Sequence, residues 1–457
     1  MAAPEKPVLR RPRARAHVWR PHGGGRRARL SRFAQLHAAG GRCRRATRAG
    51  FADHLYGPLR GPRDHRFRLH GVIRGGDFQS GERIMTNRAG TAGQSLDRAT
   101  PALALSGGGF RAVLFHCGAL MRLNELGVLS RITRISSVSG GAIANGMLAA
   151  AWPRLEMKDG VFTNLEHEVI APLRSFCRRS IDTMALGWGA LLPGKSVGDV
   201  LADSYDEMFG GITLQDLPDL PQFVFNATNL QTGRLVRMQK LRLADYTIGQ
   251  IANPTIRLAV AVAASSAFPP VLSPVEIIVD PQAWEALPGA VHHGDLAYGK
   301  TLNLTDGGAY DNLGLETIDE FNPVIVSDAG APFGLEAAAN TLWAAQLMRA
   351  LDIATDQARG LRKRLLFARC EAEHRAVAFC GIDGTPAAYP AAQILRADPV
   401  LTATLARLRT RLNPFSEQEQ GRLINWGWLM MDVALRSFVT TGAPAPAALP
   451  MPQYPLA

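Results

Sequence analysis

The apolar residues from 101 to 152 alternate between short runs and helical stripes. An apolar run at 102–105 is followed by a segment at 110–126 whose apolar residues recur with helical spacing, and Gly127 marks its end. A second run at 132–137 precedes another helical segment at 140–152. The order of strand, helix and strand predicts the beginning of a parallel α/β sheet.

Later apolar segments continue this alternation. They predict helices at 197–209, 255–266 and 342–369, and strands at 222–226, 234–239, 302–305 and 323–327. Residues 153–215 have a helical and irregular pattern, and their position between the first two strands and the later ones suggests a lid over an active site. Residues 441–457, rich in Pro and Ala, predict a disordered tail.

The charge of the chain is concentrated at its amino terminus. Residues 1–84 contain 20 Lys and Arg against 5 Asp and Glu, whereas the rest of the 457-residue chain is close to neutral. The near-neutral body gives no reason to expect nucleic acid in an active site. Residues 1–84 are interpreted as a disordered extension or as the product of a misassigned start, in which case the chain would start at Met85. The alternative interpretation of residues 1–84 is a basic arm that binds an anionic membrane or nucleic acid.

The five cysteines are scattered and form no Cys-x-x-Cys pair, which argues against a disulfide framework or a zinc site. An odd number of cysteines fits a reducing cytoplasm. The chain has no run of eighteen apolar residues, so we expect any contact with a membrane to be peripheral. No acidic loop suggests calcium, and we infer no metal and no cofactor.

Two turns of small residues follow the first two predicted strands. At the first, Gly107, Gly108 and Gly109 would let backbone N–H groups approach a developing negative charge, because no Cβ intervenes. At the second, Ser139 stands in a Ser-x-Ser-x-Gly frame, one residue different from the Gly-x-Ser-x-Gly elbow of serine hydrolases. A loop that can bind an oxyanion, followed by a candidate nucleophile, is typical of enzymes that catalyse acyl transfer.

The candidate general base is Asp306, directly after an apolar strand. Aspartate is a poor base at its reference pKa of about 3.9, but a desolvated carboxylate bonded to the serine hydroxyl could accept its proton. A triad would need a histidine, and His374 alone follows Asp306, in a polar run. His292 and His293 precede Asp306, the wrong order for an α/β-hydrolase triad. The sequence therefore favours a Ser139–Asp306 dyad.

The chain contains three motifs, in the order Ser106-Gly-Gly-Gly-Phe-Arg111, Ser137-Val-Ser139-Gly-Gly141 and Asp306-Gly-Gly308. They closely resemble, in sequence and in order, the motifs of the patatin-like phospholipases. Blocks at 226–233 and 264–270 look like intermediate blocks of that family, so the resemblance covers roughly residues 100–335. One departure is Ser137, which stands where the family's elbow has its leading glycine. It puts little in doubt beyond the strain at the elbow.

The resemblance implies a three-layer α/β fold with a central, mostly parallel sheet flanked by helices. It also implies a Ser139–Asp306 dyad, an oxyanion hole formed by the backbone of Gly107 to Gly109, and hydrolysis of acyl esters in lipids. Arg111, Gly141 and Gly308 are the supporting motif residues. The expected partner is a lipid or acyl-ester substrate. The oligomeric state is left open.

The sequence leaves two alternative functions. Residues 189–196, Gly-Ala-Leu-Leu-Pro-Gly-Lys-Ser, match the phosphate-binding loop of nucleotide-dependent proteins, although no clear strand precedes them. Asp328, after a later strand, is interpreted as structural. The second alternative is a non-catalytic lipid- or membrane-binding scaffold that uses the basic arm.

The expected organisation has four parts. They are the extension at 1–84, the catalytic core at 100–335, a helical part of the same domain at 336–440, and the tail at 441–457.

Overall fold

A mixed sheet lies at the centre of the computed structural model, which describes residues 100–180, 197–270, 272–338, 340–391 and 395–457. Within these ranges the sheet has ten strands, which are β1 (Ala102–Leu105), β2 (Arg134–Ser137), β5 (Gln222–Asn229), β6 (Leu235–Gln239), β7 (Arg242–Asp245), β8 (Gly249–Ala252), β9 (Val275–Ile278), β10 (Thr301–Asp306), β11 (Val324–Asp328) and β12 (Val377–Gly381). Their order across the sheet is β12-β11-β1-β2-β5-β6-β7-β8, and in addition β10 pairs with β5 and β9 pairs with β10. A separate hairpin pairs β3 (Met157–Lys158) with β4 (Val161–Phe162).

The helices connect these strands and cover the sheet. They are α1 (Gly109–Glu125), α2 (Gly140–Ala151), α3 (Ala171–Phe176), α4 (Val197–Phe209), α5 (Leu258–Ser266), α6 (Leu296–Gly299), α7 (Gly308–Asp311), α8 (Trp343–Ala372), α9 (Pro399–Ala406) and α10 (Glu417–Phe438). The described part of the chain contains no helix long and apolar enough to cross a membrane.

Five neighbouring strands, from β12 to β5, run parallel, and both faces of this part of the sheet are buried. Alternate residues of β1 enter different cores: Leu103 and Leu105 belong to the larger core with α1 and α10, and Ala102 and Ala104 to the smaller one with α8. Helices on both faces with a sheet between them make three layers. The predicted α/β class is confirmed.

The long strand β5 brings two loops together. Its residues Gln222–Phe225 pair with the parallel strand β2, and Ala227–Asn229 pair with the antiparallel strand β10. Because β6 occupies the opposite edge over the same residues, β2 and β10 lie end to end on one edge of β5. The carboxyl ends of β2 and β10 therefore point at each other, and the turns that follow them meet.

Helices α1 and α10 cross at two glycines. A Cβ on Gly118 would lie 1.9 Å from the carbonyl oxygen of Ile424, and a Cβ on Gly427 would lie 1.9 Å from that of Phe115. A buried ion pair joins the same helices, with Arg122 Nη2 2.7 Å from Asp432 Oδ1. The C-terminal helix is thus packed against the first helix at backbone distance.

The structure changes the expectation for residues 441–457, which pack against the body instead of forming a disordered tail. The Asn425 side-chain amide donates to the carbonyls of Met451 and Tyr454, each at 2.8 Å, and Leu456 is buried. The reason is that a buried polar side chain on α10 supplies hydrogen bonds to the tail backbone. The 336–440 segment, expected to be helical, also contributes the edge strand β12.

Several sequence hypotheses fall wholly or partly outside the described residues. These are the nature of residues 1–84, the alternative start at Met85, and the phosphate-loop match at 189–196. Of the hypothetical lid, 153–180 and 197–215 are described. Phe176 of α3 packs against Phe110 and Tyr205, with ring centroids 5.6 and 5.7 Å apart, and all three rings are buried. These flanking parts therefore belong to the core.

We predict that Gly118→Ala and Gly427→Ala each destabilise the protein by about 1–3 kcal/mol, because the added methyl group meets backbone that cannot rotate away. The matched control is Gly360→Ala within α8, where the nearest heavy atom to the new Cβ is the end of the Arg364 side chain at 3.6 Å. That change should stabilise by about 0.5–1 kcal/mol through helix propensity. Urea unfolding of the three variants measures the difference, and equal effects at all three sites would contradict the crossing described.

Candidate active site

Ser139 lies on a strained turn between β2 and α2. Its φ of 52° and ψ of −122° are rare for a residue with a side chain. The turn is tight enough that a Cβ on Gly140 would come within 2.2 Å of the Gly109 carbonyl oxygen, and one on Gly141 within 2.2 Å of the Leu105 carbonyl oxygen. The two glycines after Ser139 therefore allow this conformation. The leading Ser137, which replaces a glycine, is no obstacle to it.

Asp306 ends β10 and is buried, with 4% of its surface exposed. Its carboxylate accepts the N–H of Gly308 at 2.7 Å, and the Ser139 side chain lies close enough to lower the pKa of Asp306 as a hydrogen-bond donor. Burial raises the pKa of Asp306 from 3.8 to about 6, although both hydrogen bonds act in the opposite direction. A carboxylate with this pKa is a better base at neutral pH than an exposed aspartate.

One carbonyl connects the two turns. The Ser265 carbonyl oxygen, at the end of α5, accepts the N–H groups of Ser139 and Gly307, both at 3.1 Å. The Ser265 hydroxyl is also 3.1 Å from the Ser139 nitrogen, and it donates to the Asn226 carbonyl at 2.7 Å. The separation of Ser139 and Asp306 is therefore fixed by backbone hydrogen bonds to a third element.

The glycine-rich loop lies beside Ser139, since a Cβ on Gly107 would be 3.1 Å from the Ser139 Cβ. Its three amides are not equivalent. The Gly107 N–H donates to the Asn312 carbonyl at 3.0 Å, whereas among the described residues no acceptor stands against the N–H of Gly108 or Gly109. This corrects the expectation that all three glycines offer amides, because Gly107 is held by the loop after α7. Gly108 and Gly109 remain as candidate donors.

A buried histidine supports this loop from behind. His116 Nε2 is 2.9 Å from the Ser106 carbonyl oxygen and Nδ1 is 2.8 Å from the Ser327 hydroxyl. A carbonyl oxygen only accepts, so Nε2 carries the proton and the Ser327 hydroxyl donates to Nδ1. Burial lowers the pKa of His116 to about 4, which keeps the ring neutral. His116 and Asn312 thus hold opposite ends of one peptide unit, Ser106–Gly107.

Arg111 is buried and points away from solvent. Its guanidinium donates to the carbonyls of Leu408 at 2.6 Å and Ala329 at 2.9 Å. Burial lowers the pKa of Arg111 to about 10, and nearby Arg359 adds to the effect. These hydrogen bonds connect the start of α1 to two loops that are distant in sequence. In this geometry Arg111 therefore holds the start of α1 in place.

Other candidate residues lie apart from this constellation. His374 is exposed three residues before β12, at the amino edge of the sheet. Because β12 runs parallel to β2, this places it roughly 15 Å or more from the carboxyl edge that precedes Ser139. His292 stacks on Tyr298 at 4.0 Å. Asp328 is buried and pairs with Arg359 at 2.6 Å, which agrees with a structural role.

The structure adds residues that the sequence interpretation left without roles. Ser265 and Asn226 lie in blocks quoted only for their resemblance. Asp311 is buried and accepts the N–H groups of Leu313 and Leu315 at 3.1 and 2.8 Å, which shapes the loop that carries Asn312. The one sequence signal for Asp311 is its position three residues after the Asp306-Gly-Gly308 motif. Nothing in the sequence marks a backbone acceptor such as the Asn312 carbonyl.

Several solved structures are similar to this chain at low sequence identity. Human GIVD cytosolic phospholipase A2 is 11% identical, with 79% of this chain and 60% of that chain covered and a TM-score of 0.44. VipD from Legionella pneumophila is 16% identical, with 75% and 68% covered and a TM-score of 0.33. ExoU from Pseudomonas aeruginosa is 17% identical, with 42% and 41% covered and a TM-score of 0.22. The chain thus spans less than two thirds of the length of the human enzyme.

The sequence matches no curated protein. It does match the family model described as patatin-like phospholipase over residues 103–319, a range that includes both Ser139 and Asp306. Residues 103–319 of this chain are a patatin-like phospholipase domain.

Proposed function

We propose that the protein is a serine acyl hydrolase that cleaves acyl esters of lipids, phospholipids among them, with Ser139 as nucleophile and Asp306 as general base. The observation that carries the proposal is that Ser139, on its strained turn, and the turn of the buried Asp306 are held together on the Ser265 carbonyl oxygen beside the glycine-rich loop. The family match supports the reaction class.

In the proposed reaction the Ser139 hydroxyl attacks the acyl carbonyl carbon while Asp306 takes its proton. The carbonyl oxygen becomes an oxyanion, and the Gly108 and Gly109 amides are the proposed donors to it. Collapse of the tetrahedral intermediate breaks the ester bond, and Asp306 returns the proton to the departing alcohol. A water molecule, deprotonated by Asp306, then releases the fatty acid from Ser139.

The environment supports Asp306 in this role without a histidine. A serine hydroxyl is a weak acid, so a base that acts on it gains from a raised pKa and from direct contact. Burial supplies the first, and the adjoining turns of β2 and β10 supply the second. The buried His116 is committed to the Ser106 carbonyl and the Ser327 hydroxyl, so it is not part of the proposed proton transfer.

We expect Ser139→Ala and Asp306→Asn each to lower kcat on short p-nitrophenyl esters by at least about 10³-fold, because the pair acts as one unit. Both variants should also lose labelling by a fluorophosphonate probe. His374→Ala is the matched control and should keep wild-type activity, since that side chain is exposed at the opposite edge of the sheet. Loss of activity in His374→Ala would point to a triad. A wild-type protein that neither turns over ester nor takes the probe, yet binds vesicles, would support the scaffold alternative.

The pH dependence of kcat/KM should show an acidic limb at about pH 6. Asp306 must be ionised to accept the proton, and burial raises its pKa from 3.8 to about 6. Activity at pH 4 should therefore be about one-hundredth of the plateau. Circular dichroism at each pH controls for unfolding. A limb near pH 4 in folded protein would show that the base has an ordinary aspartate pKa.

Asp306→Asn should be more stable than wild type at neutral pH. Between pH 3.8 and about 6 the folded carboxyl retains a proton that the unfolded chain releases, so raising the pH through this window lowers the stability of wild type. A shift of this size corresponds to at most about 3 kcal/mol. The difference in the free energy of unfolding between variant and wild type should thus increase from pH 4 to pH 7. A constant difference would contradict the raised pKa.

A further inference from the structure

Helix α8 is largely uncovered along its thirty residues, all of which the structure describes. Only Leu366 and Cys370 are buried. The second half of the helix contacts the body through polar groups, with Arg359 paired to Asp328 and the Arg362 guanidinium 4.9 Å from the centre of the Tyr310 ring. The first half contacts residues 333–336 through Arg349, whose guanidinium donates to the Gly334 carbonyl at 2.6 Å and lies 4.0 Å from the centre of the Phe333 ring. A helix this long with so little packing is short of the tertiary contacts that usually stabilise helices.

Four leucines form a line along the uncovered side of α8. Leu347, Leu351, Leu361 and Leu365 are 63%, 39%, 59% and 46% exposed. Single exposed leucines are ordinary on protein surfaces, but a continuous line of them indicates a surface that binds something.

Four alanines complete this line. Ala344, Ala354, Ala358 and Ala368 alternate with the leucines so that apolar residues recur at steps of three and four from 344 to 368. This is the a and d pattern of a coiled-coil helix. The side of α8 that contacts its own body lies opposite this seam, as the buried Leu366 and Cys370 show. The seam is therefore available to a second helix.

We propose that α8 pairs with α8 of a second copy of this chain as an antiparallel two-stranded coiled coil. The order of residue types along the seam is Ala-Leu-Leu-Ala-Ala-Leu-Leu-Ala, which reads the same in both directions about position 356. A two-fold axis there places Leu351 opposite the partner's Leu361 and Ala354 opposite the partner's Ala358. An interface between identical chains must be self-complementary in this way.

Charge is compatible with the antiparallel arrangement. The seam is bordered by Arg362, Arg364 and Arg369 in the second half of α8 and by Met348 and Ala350 in the first half. Arg362 and Arg369 are paired with Glu316 and Asp319 of the body. In antiparallel helices the Arg364 stem lies against the uncharged border of the partner's first half, where it can cover apolar side chains.

The size and shape of the seam also fit a second helix. The seam from residue 344 to residue 368 gives a contact about 36 Å long and about 10 Å wide on each partner. The total of roughly 700 Å² is in the range of weak, reversible interfaces, below the roughly 1,000 Å² of stable ones. From residue 355 onward the seam is narrow and bordered by Thr355, Gln357 and Arg364, whereas a helix that lies on a lipid surface has a broad apolar face along its length. At the start of α8 the exposed Trp343 and Met348 widen the apolar strip. The observations therefore favour a helix over a membrane.

The test is the mass of the full-length protein by light scattering over a dilution series. We expect wild type to have twice the 49.3 kDa of one chain and Leu351→Lys to be monomeric. The matched control is Ile353→Lys, a neighbouring residue that is 46% exposed but lies off the seam, and it should remain dimeric. A monomeric wild type, or a dimer that Leu351→Lys leaves intact, would overturn the proposal. If wild type is monomeric and Leu351→Lys alone loses sedimentation with anionic vesicles, the seam is a lipid contact instead.

Cross-linking tests the direction of the helices. Cys43→Ser protein with Gln357→Cys should link to its own copy through a short thiol-specific reagent, because residue 357 lies next to the two-fold axis. The same background with Ala344→Cys should not link, since the two copies of residue 344 would be about 36 Å apart. The remaining cysteines are buried. Linking at both positions would contradict the antiparallel arrangement.

Discussion

The carbonyl oxygen of Ser265 is the contact on which the geometry of the site depends. It accepts the N–H groups of Ser139 and Gly307, so one atom at the end of α5 sets the distance between the turns after β2 and β10. The unusual backbone angles of Ser139 persist because these bonds and the close contacts of Gly140 and Gly141 determine the turn from several sides. Residues far apart in sequence are therefore positioned mainly by backbone, whose hydrogen bonds vary little with side-chain identity.

The mixed sheet explains why this arrangement can form. In a wholly parallel sheet the ends of neighbouring strands lie side by side at one edge. Here β10 runs against β5 and meets β2 end to end, so the turns that carry Asp306 and Ser139 come together. The glycine-rich loop approaches from β1, the next parallel strand. The residues of the proposed dyad and the glycine-rich loop thus lie at one edge of β5 and its neighbours.

The sequence predicted what local patterns encode. The helix at 197–209 and the strands near β1, β2, β10 and β11 follow from apolar periodicity bounded by glycine, and the α/β class follows from their order. Strands β7, β8 and β9 have four residues each, which is too short for a distinct alternation of apolar and polar residues to show in the sequence. Other features come from tertiary contacts with main-chain atoms. They are the hydrogen bond from the Gly107 N–H to the Asn312 carbonyl, the burial of Arg111 and the packing of residues 441–457. Periodicity in a single sequence carries no information on such contacts.

The bracing of the glycine-rich loop by the far end of the chain bears on how the protein is made. Arg111 binds the Leu408 carbonyl, a Cβ on Gly109 would overlap the Thr410 carbonyl, and α1 meets α10 at its glycine crossing. These partners leave the ribosome nearly three hundred residues after the loop they support. Contacts of such long range form late and slowly. Ser139 and Asp306, the residues of the proposed dyad, are therefore synthesised before the segments that brace the loop beside them, and this bracing is complete only when the last helix has formed.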